Sequence, residues 1–261
     1  MTEIETLQSN LRRLGLKRTA EVFMREADRA ATLGTSYTDY LARLVAEELV
    51  AANERSVNHR LQQARFPGIR TLESFEYRFQ PTVNEALIRE LAGLGFLTGR
   101  ENVILLGPPG VGKTHLAIGL GVKACASRKR VRFTTALGLM DELTAAAAVR
   151  NLGVALERLS RWELLIIDEL GYLAWDKPRA NLFFQLVNRC YERVSIIVTS
   201  NRAFDQWGEA IGDETIASAV LDRLVHHSHI IAIQGESYRI RDRRPKVVDT
   251  RVKNDDNKPN E

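Results

Sequence analysis

"LLGPPGVGKTHLA" (residues 105–117) decides how the whole chain is read. Gly107-Pro108-Pro109-Gly110-Val111-Gly112-Lys113-Thr114 fits G-x-x-x-x-G-K-[ST], a loop that wraps nucleotide phosphates. Its glycines let successive backbone N–H groups point inward, at the positive end of the helix that follows. Lys113 brings a mobile charge over the β- and γ-phosphates, and Thr114 offers its hydroxyl to Mg²⁺. His115, the next residue, is counted with the nucleotide-binding set. The surroundings fit as well: "NVILLG" is an apolar run that ends at the loop, and a helix is expected over Lys113–Ala126.

Outward from the loop, apolar runs alternate with helical patterns. "VRFTTA" (131–136), "ELLIIDEL" (163–170), "SIIVTSN" (195–201) and "HIIAIQ" (229–234) read as further strands, with helical segments over 137–160 and about Pro178–Arg193. Continuously apolar strands separated by amphipathic helices indicate an α/β fold whose parallel sheet is covered on both faces. Ligands bind such sheets at the carboxyl ends of the strands. Asp168 and Glu169 emerge there, Asp168 placed to hold Mg²⁺ and Glu169 to polarise an attacking water. A carboxylate base implies turnover of the nucleotide and not merely its sensing. Asn201, at the end of the adjoining apolar strand, is suited to hold that water or the γ-phosphate. Arg223, on a helix just before the fifth strand, is the candidate for an arginine that reaches a neighbouring subunit's γ-phosphate.

The first sixty-odd residues read as helices, and "FPGIR" (66–70) breaks the pattern. "TLESFEYRFQPTVN" (71–84) follows as an irregular linker with three aromatics. The expected organisation is a helical N-terminal domain over 1–66, a linker and the start of the ATPase domain over 67–100, the core over 101–245, and a polar, disordered tail over 246–261. Segment 1–66 carries ten Lys or Arg against nine Asp or Glu, so it is no basic arm. A formal charge of +4 on the whole chain likewise leaves nucleic-acid binding to local patches. Cys125 and Cys190 make no metal-ligand spacing and read as buried, reduced thiols. His226, His227 and His229 have no carboxylate or cysteine at ligand spacing, which argues against zinc. With neither a signal peptide nor a run of ~18 apolar residues, a cytoplasmic protein with no membrane contact is expected.

With these parts in order, the region from about 70 to 240 resembles an AAA+ ATPase of the initiator and helicase-loader branch. "FEYRFQPTVN", "LLIIDELGYL", "FFQLVNRCYERVSIIVTSNRAFDQWGE", "VLDRLVHHSHII" and "GESYR" narrow the resemblance to the IstB family, the ATP-binding subunit that works with the IstA transposase in bacterial insertion sequences. "LRRLGLKRTAEVFMREA" extends it over nearly the whole chain. The resemblance implies an AAA+ fold with a five-stranded parallel sheet, ATP with Mg²⁺, homo-oligomers on duplex DNA, and recruitment and stimulation of a transposase. It makes Gly107–Thr114 the Walker A loop, Asp168 and Glu169 Walker B, Asn201 sensor 1 and Arg223 the arginine finger. Little chain follows the fifth strand, so a reduced lid is expected, with Arg239 the candidate for sensor 2.

DNA contacts have several candidates. Arg150 is the basic residue of the 137–152 segment, which corresponds to the extra helix that points toward nucleic acid in the initiator branch. "SRKRVRF" supplies Arg128, Lys129, Arg130 and Arg132, whereas "YRIRDRRPK" supplies Arg239, Arg241, Arg243, Arg244 and Lys246. Either cluster could neutralise phosphates or be solvated surface, and the second is denser. Two other functions share the loop: a replicative helicase loader of the DnaC type, and a metabolic P-loop kinase, in which Glu169 and Arg223 would have no role.

Overall fold

Each apolar run becomes a strand of one sheet. The computed structural model describes residues 2–172 and 174–238. Strands β1 (Asn102–Leu106), β2 (Val131–Thr135), β3 (Leu164–Leu170), β4 (Ser195–Ser200) and β5 (Ser228–Ala232) pair in parallel, in the spatial order β2-β3-β4-β1-β5. The loop after β1 therefore lies between the ends of β4 and β5, and β4 separates it from the acidic end of β3.

Helices cover both faces. The connections carry α6 (Lys113–Ala126), α7 (Ala136–Ala148), α8 (Leu152–Leu159), α9 (Lys177–Cys190), α10 (Trp207–Ile211) and α11 (Glu214–Val225). Ahead of the sheet come α1 (Glu3–Arg13), α2 (Lys17–Leu33), α3 (Tyr37–Ala64), α4 (Glu85–Ala92) and α5 (Gly95–Thr98). Side chains alternate between faces along each strand. Ile104, Leu165 and Ile167 enter one core with Leu139, Phe183 and Val220, while Val103, Leu105, Leu164 and Ile166 enter the other with Leu116 and Leu120. Both sets are fully buried, and this is why the strands read as unbroken apolar runs instead of alternating ones.

Helix α3 connects two packing environments. Its Leu44 joins Val22 and Phe23 of α2 in a small cluster, whereas Ala64 in its last turn is buried in the core on the α6 side of the sheet. The aromatic segment that follows is irregular, with a 3₁₀ turn over Leu72–Ser74. It packs tightly, burying Leu72, Phe75 and Val83 in that same core.

The 137–160 stretch forms two helices. Arg150 lies in the turn between α7 and α8, exposed and with φ 54°, and not on the helix expected to carry it. Cys125 and Cys190 are free and buried. Burial pushes their thiols up to about 11 and about 12, so little reactive thiolate exists at neutral pH. Among the described residues no helix is long and apolar enough to cross a membrane.

Candidate nucleotide site

The loop between β1 and α6 is shaped by close approaches. Gly107 has φ 152°, and a Cβ there would collide with the carbonyl oxygen of Ile233 just after β5. Gly112 has φ 99°, and a Cβ would stand 2.6 Å from the Phe75 ring. Only glycine meets both demands at these positions. Lys113 is buried, and its Nζ donates to the carbonyls of Gly107 (2.6 Å) and Pro108 (2.8 Å). The ammonium is thereby centred in the loop that would receive phosphate.

Thr114 and Asp168 meet directly. The Thr114 hydroxyl donates to Asp168 at 2.8 Å to Oδ1 and 3.1 Å to Oδ2. The Thr199 hydroxyl on β4 donates to the same Oδ1 at 2.5 Å and accepts the Glu169 backbone N–H at 2.9 Å. Thr199 was not singled out in the sequence, because a threonine inside an apolar strand carries no signal of its own. Its position matters because the pairing of β3 with β4 slips there: Ile167 faces Val198, but Leu170 faces Ser200. One extra residue on β3 makes a bulge, a device that re-aims side chains. Asp168 stays buried while Glu169, with φ 63°, is exposed at the strand end. A left-handed glutamate is unfavourable unless its neighbours impose it. The Thr199 bond is one such constraint.

Asn201 directly follows Ser200, which pairs with Leu106 on one side and Leu170 on the other. It is exposed, between the phosphate loop and the acidic pair. The next residue, Arg202, donates to the Gly171 carbonyl (3.1 Å) and pairs with Glu209 (3.1 Å), bracing the turn after Glu169. Loop, acidic pair and Asn201 thus converge. The Asp168 carboxylate and Thr114 hydroxyl are hard oxygen donors side by side, which suits Mg²⁺.

Two further predicted residues lie outside this bonded set. His115 is bonded to the 71–75 segment: its Nε2 lies 2.8 Å from the Thr71 carbonyl and 3.1 Å from the Ser74 hydroxyl, and its ring meets Phe75 edge-on. Its side chain ties the 71–75 segment to α6, beside the cavity that the loop lines. Arg223 lies at the opposite end of the sheet. The carbonyl of Leu224 accepts a bond from Asn102, the first residue of β1, whereas the loop leaves that strand's last residue. Five residues of strand separate them by roughly 16 Å. The guanidinium donates to Asn188 (3.1 Å) and the Ala219 carbonyl (3.0 Å) and lies over the Phe184 ring, without an ion pair to Asp222.

The floor of the site comes from the aromatic segment. A cavity of about 510 Å³ is bounded by the loop, Arg70, Phe75, Glu76, Gln80 and Tyr238. Tyr238 donates its N–H to the Gly110 carbonyl (3.0 Å) and its hydroxyl to Glu76 (2.8 Å). Thr82 and Gln234 exchange two bonds, and Gln80 donates to the Glu236 carbonyl (2.9 Å). Two stretches far apart in sequence are thereby clasped across the loop.

Of the basic clusters, the first is tied into the surface, with two carboxylates set against its four cations. Lys129 and Arg130 pair with Glu163, Arg132 pairs with Glu142, and Arg128 bonds Asn53. Burial pushes the Glu163 carboxyl up, but the Arg130 N–H and the Lys129 ammonium outweigh that and hold it below the usual range. Arg239, Arg241, Arg243, Arg244 and Lys246 lie outside the described residues.

Comparison with known proteins points to ATP binding. The family described as IstB-like ATP binding protein matches residues 9–246. A Pseudomonas aeruginosa protein named for ATP binding in insertion sequence IS21 is 45% identical over 251 residues, covering 96% of this chain and 94% of that protein. Its counterpart in IS5376 of Geobacillus stearothermophilus is 41% identical, covering 92% and 96%. Among solved structures, DnaA from Aquifex aeolicus bound to AMPPCP superposes with a TM-score of 0.50 at 22% identity, over 62% of this chain and 49% of that one. DnaI gives a TM-score of 0.50 at 18% identity, over 63% and 90%. The structural likeness shows an AAA+ P-loop fold, and the sequence match shows that the chain belongs to the IstB-like family of insertion-sequence proteins.

Proposed function

We propose that this IstB-like protein is a Mg²⁺-dependent ATP hydrolase that assembles on duplex DNA, recruits a partner transposase and stimulates transposition. The observation that carries the ATPase reading is the bonded set Thr114–Asp168–Thr199, which joins the loop to the acidic strand end and fixes the Glu169 backbone there. Lys113 and the loop N–H groups bind the phosphates. Thr114 and Asp168 would hold Mg²⁺, which supplies charge neutralisation between the phosphates. Glu169 takes the proton of the attacking water, and Asn201 orients that water or the γ-phosphate.

Arg223 serves a neighbouring subunit's nucleotide. Its distance from its own loop supports that role, because a group at the far end of β1 cannot act in cis. The insertion-sequence relatives support the transposition context, and the family match over residues 9–246 includes α2 and α3. On this reading 1–66 is the helical domain that meets partners, 67–100 leads into the core at 101–245, and 246–261 is a tail. Arg150 and the Arg239–Lys246 cluster supply DNA contacts, with Arg239 also the candidate for sensor 2.

The test is ATP turnover and DNA retention by wild type and Glu169→Gln. Loss of the base lowers the hydrolysis rate by about 10²–10⁴ while ATP binding persists, so the variant accumulates bound to duplex DNA. Normal turnover in Glu169→Gln would remove Glu169 as base. ATP-independent binding to short duplexes would remove assembly as the nucleotide's purpose. Co-purification with a replicative helicase, in place of a transposase, would favour a loader.

A further inference from the structure

At the end of the sheet opposite the phosphate loop, two histidines and a glutamate come together that the ATPase reading leaves unused. His226 and His227 directly follow α11, and Glu192 lies in the turn after α9. All three are exposed, and their donor atoms lie within 4.8 Å of one another, the one such group among the described residues. The sequence suggested a different trio without a carboxylate. The fold removes His229, whose Nε2 is held by Glu101 at 2.7 Å, and supplies Glu192 in its place.

The cluster has more than proximity. Glu192 has φ 56°, a left-handed backbone unusual outside glycine, within the tight turn between α9 and β4. The Tyr191 hydroxyl lies 3.0 Å from His226 Nδ1. An Nδ1–H donated to that hydroxyl leaves the Nε2 lone pair for a metal, the outer arrangement that orients ligating histidines. Tyr191 and Glu192 also form part of the wall of a cavity of about 670 Å³ that includes Asn188, so one side of the cluster stays open.

We propose that Glu192, His226 and His227 bind a first-row divalent cation of the zinc class, with a fourth position open to water. Two imidazoles and one carboxylate suit Zn²⁺, Ni²⁺ or Cu²⁺, whereas Mg²⁺ and Ca²⁺ take sites built wholly of oxygen. Tetrahedral bonds of about 2.1 Å put ligand atoms about 3.4 Å apart, a contraction that exposed side chains reach by small rotations. The ion would tie the α9–β4 turn to the α11–β5 turn. Arg223 lies between them, bonded to Asn188 of α9 and carried by α11. Metal occupancy would therefore brace the residue proposed to act across the subunit interface. The site itself stands on its own ligands, whatever Arg223 does.

The experiment is calorimetric titration of the untagged full chain, without nucleotide, with ZnCl₂ and separately with MgCl₂. Saturable binding of one zinc per chain is expected, with no comparable magnesium signal. Glu192→Gln, His226→Ala and His227→Ala each weaken zinc binding by at least ~10-fold, and Tyr191→Phe by about 10-fold through the outer bond. His59→Ala, an exposed histidine elsewhere, leaves binding unchanged. Zinc raises the melting temperature of wild type but not of the double variant His226→Ala/His227→Ala, since a ligand that binds only the folded chain stabilises it. Circular dichroism confirms that the variants fold. Absence of saturable zinc binding, or full binding in the cluster variants, overturns the proposal.

Discussion

The two ends of the sheet hold their charged side chains in different ways. At the carboxyl end, Lys113, Thr114, Asp168 and Thr199 are bonded within one subunit, so the surface proposed to hold phosphate and Mg²⁺ is assembled in cis. At the amino end, Arg223 is held by a neutral amide, a carbonyl and a ring, none of which cancels its charge. One end is the proposed receptor, built within a single subunit. The other is an oriented cation whose proposed anion belongs to another molecule. On the proposed reading, position within a parallel sheet separates what a subunit does alone from what it does in an assembly.

The strongest way to break this contrast is Lys113→Ala. Removing the loop's cation takes away charge-assisted bonds of about 3 kcal/mol, so ATP binding weakens by about 100-fold or more and hydrolysis disappears. Fluorescent-nucleotide titration measures the first effect and phosphate release the second. Unchanged affinity would dissolve the receptor at the carboxyl end.

Arg223→Ala comes next. Hydrolysis by assembled protein falls by about 10³ or more, yet each subunit still binds ATP normally. Mixing this variant with Lys113→Ala protein sharpens the comparison, because each contributes the half-site that the other lacks. Recovered ATPase in the mixture is expected. If both variants fold and associate but the mixture stays inactive, Arg223 does not act in trans.

Thr199→Val tests how the carboxyl end is organised. It keeps the volume of a residue only 1% exposed but removes both bonds that set Asp168 and Glu169. Turnover falls by about 10- to 100-fold and the magnesium requirement rises, with Thr199→Ser restoring both. A fall in turnover at unchanged magnesium dependence would mean that Thr199 matters only for packing.

The smallest effect concerns α11, which runs from one end of the sheet to the other. Asp213 caps its start, accepting the Ile216 N–H at 3.0 Å. That bond, opposed by slight burial and aided by Lys177, lowers the Asp213 carboxyl below 3.8. A carboxylate lowered on folding stabilises the fold above its unfolded value and loses that contribution as pH falls through the folded one. Asp213→Ala should therefore lower the melting temperature slightly at pH 7, and the difference should shrink as the pH drops below 3.8. A difference that persists undiminished in acid would exclude the charge as its source.

Much of this was legible in the chain. The phosphate loop, the five apolar runs and the acidic strand end rest on local chemistry. Glycines permit the loop, strands buried on both faces must be apolar throughout, and helix spacing follows from backbone geometry. These determine an α/β fold, and the loop with the acid after its third strand determines a nucleotide site. What the chain alone did not disclose depends on contacts between distant residues. Thr199 became a positioning residue only when β4 was set beside the bulge of β3. The aromatic stretch 71–84 became a wall of the site only when Phe75 met Gly112 and Tyr238 met Glu76. Glu192 joined His226 and His227 because two turns meet at the amino end of the sheet. A hydroxyl, a ring or a carboxylate has the same local signature wherever it falls, and only packing assigns its neighbour.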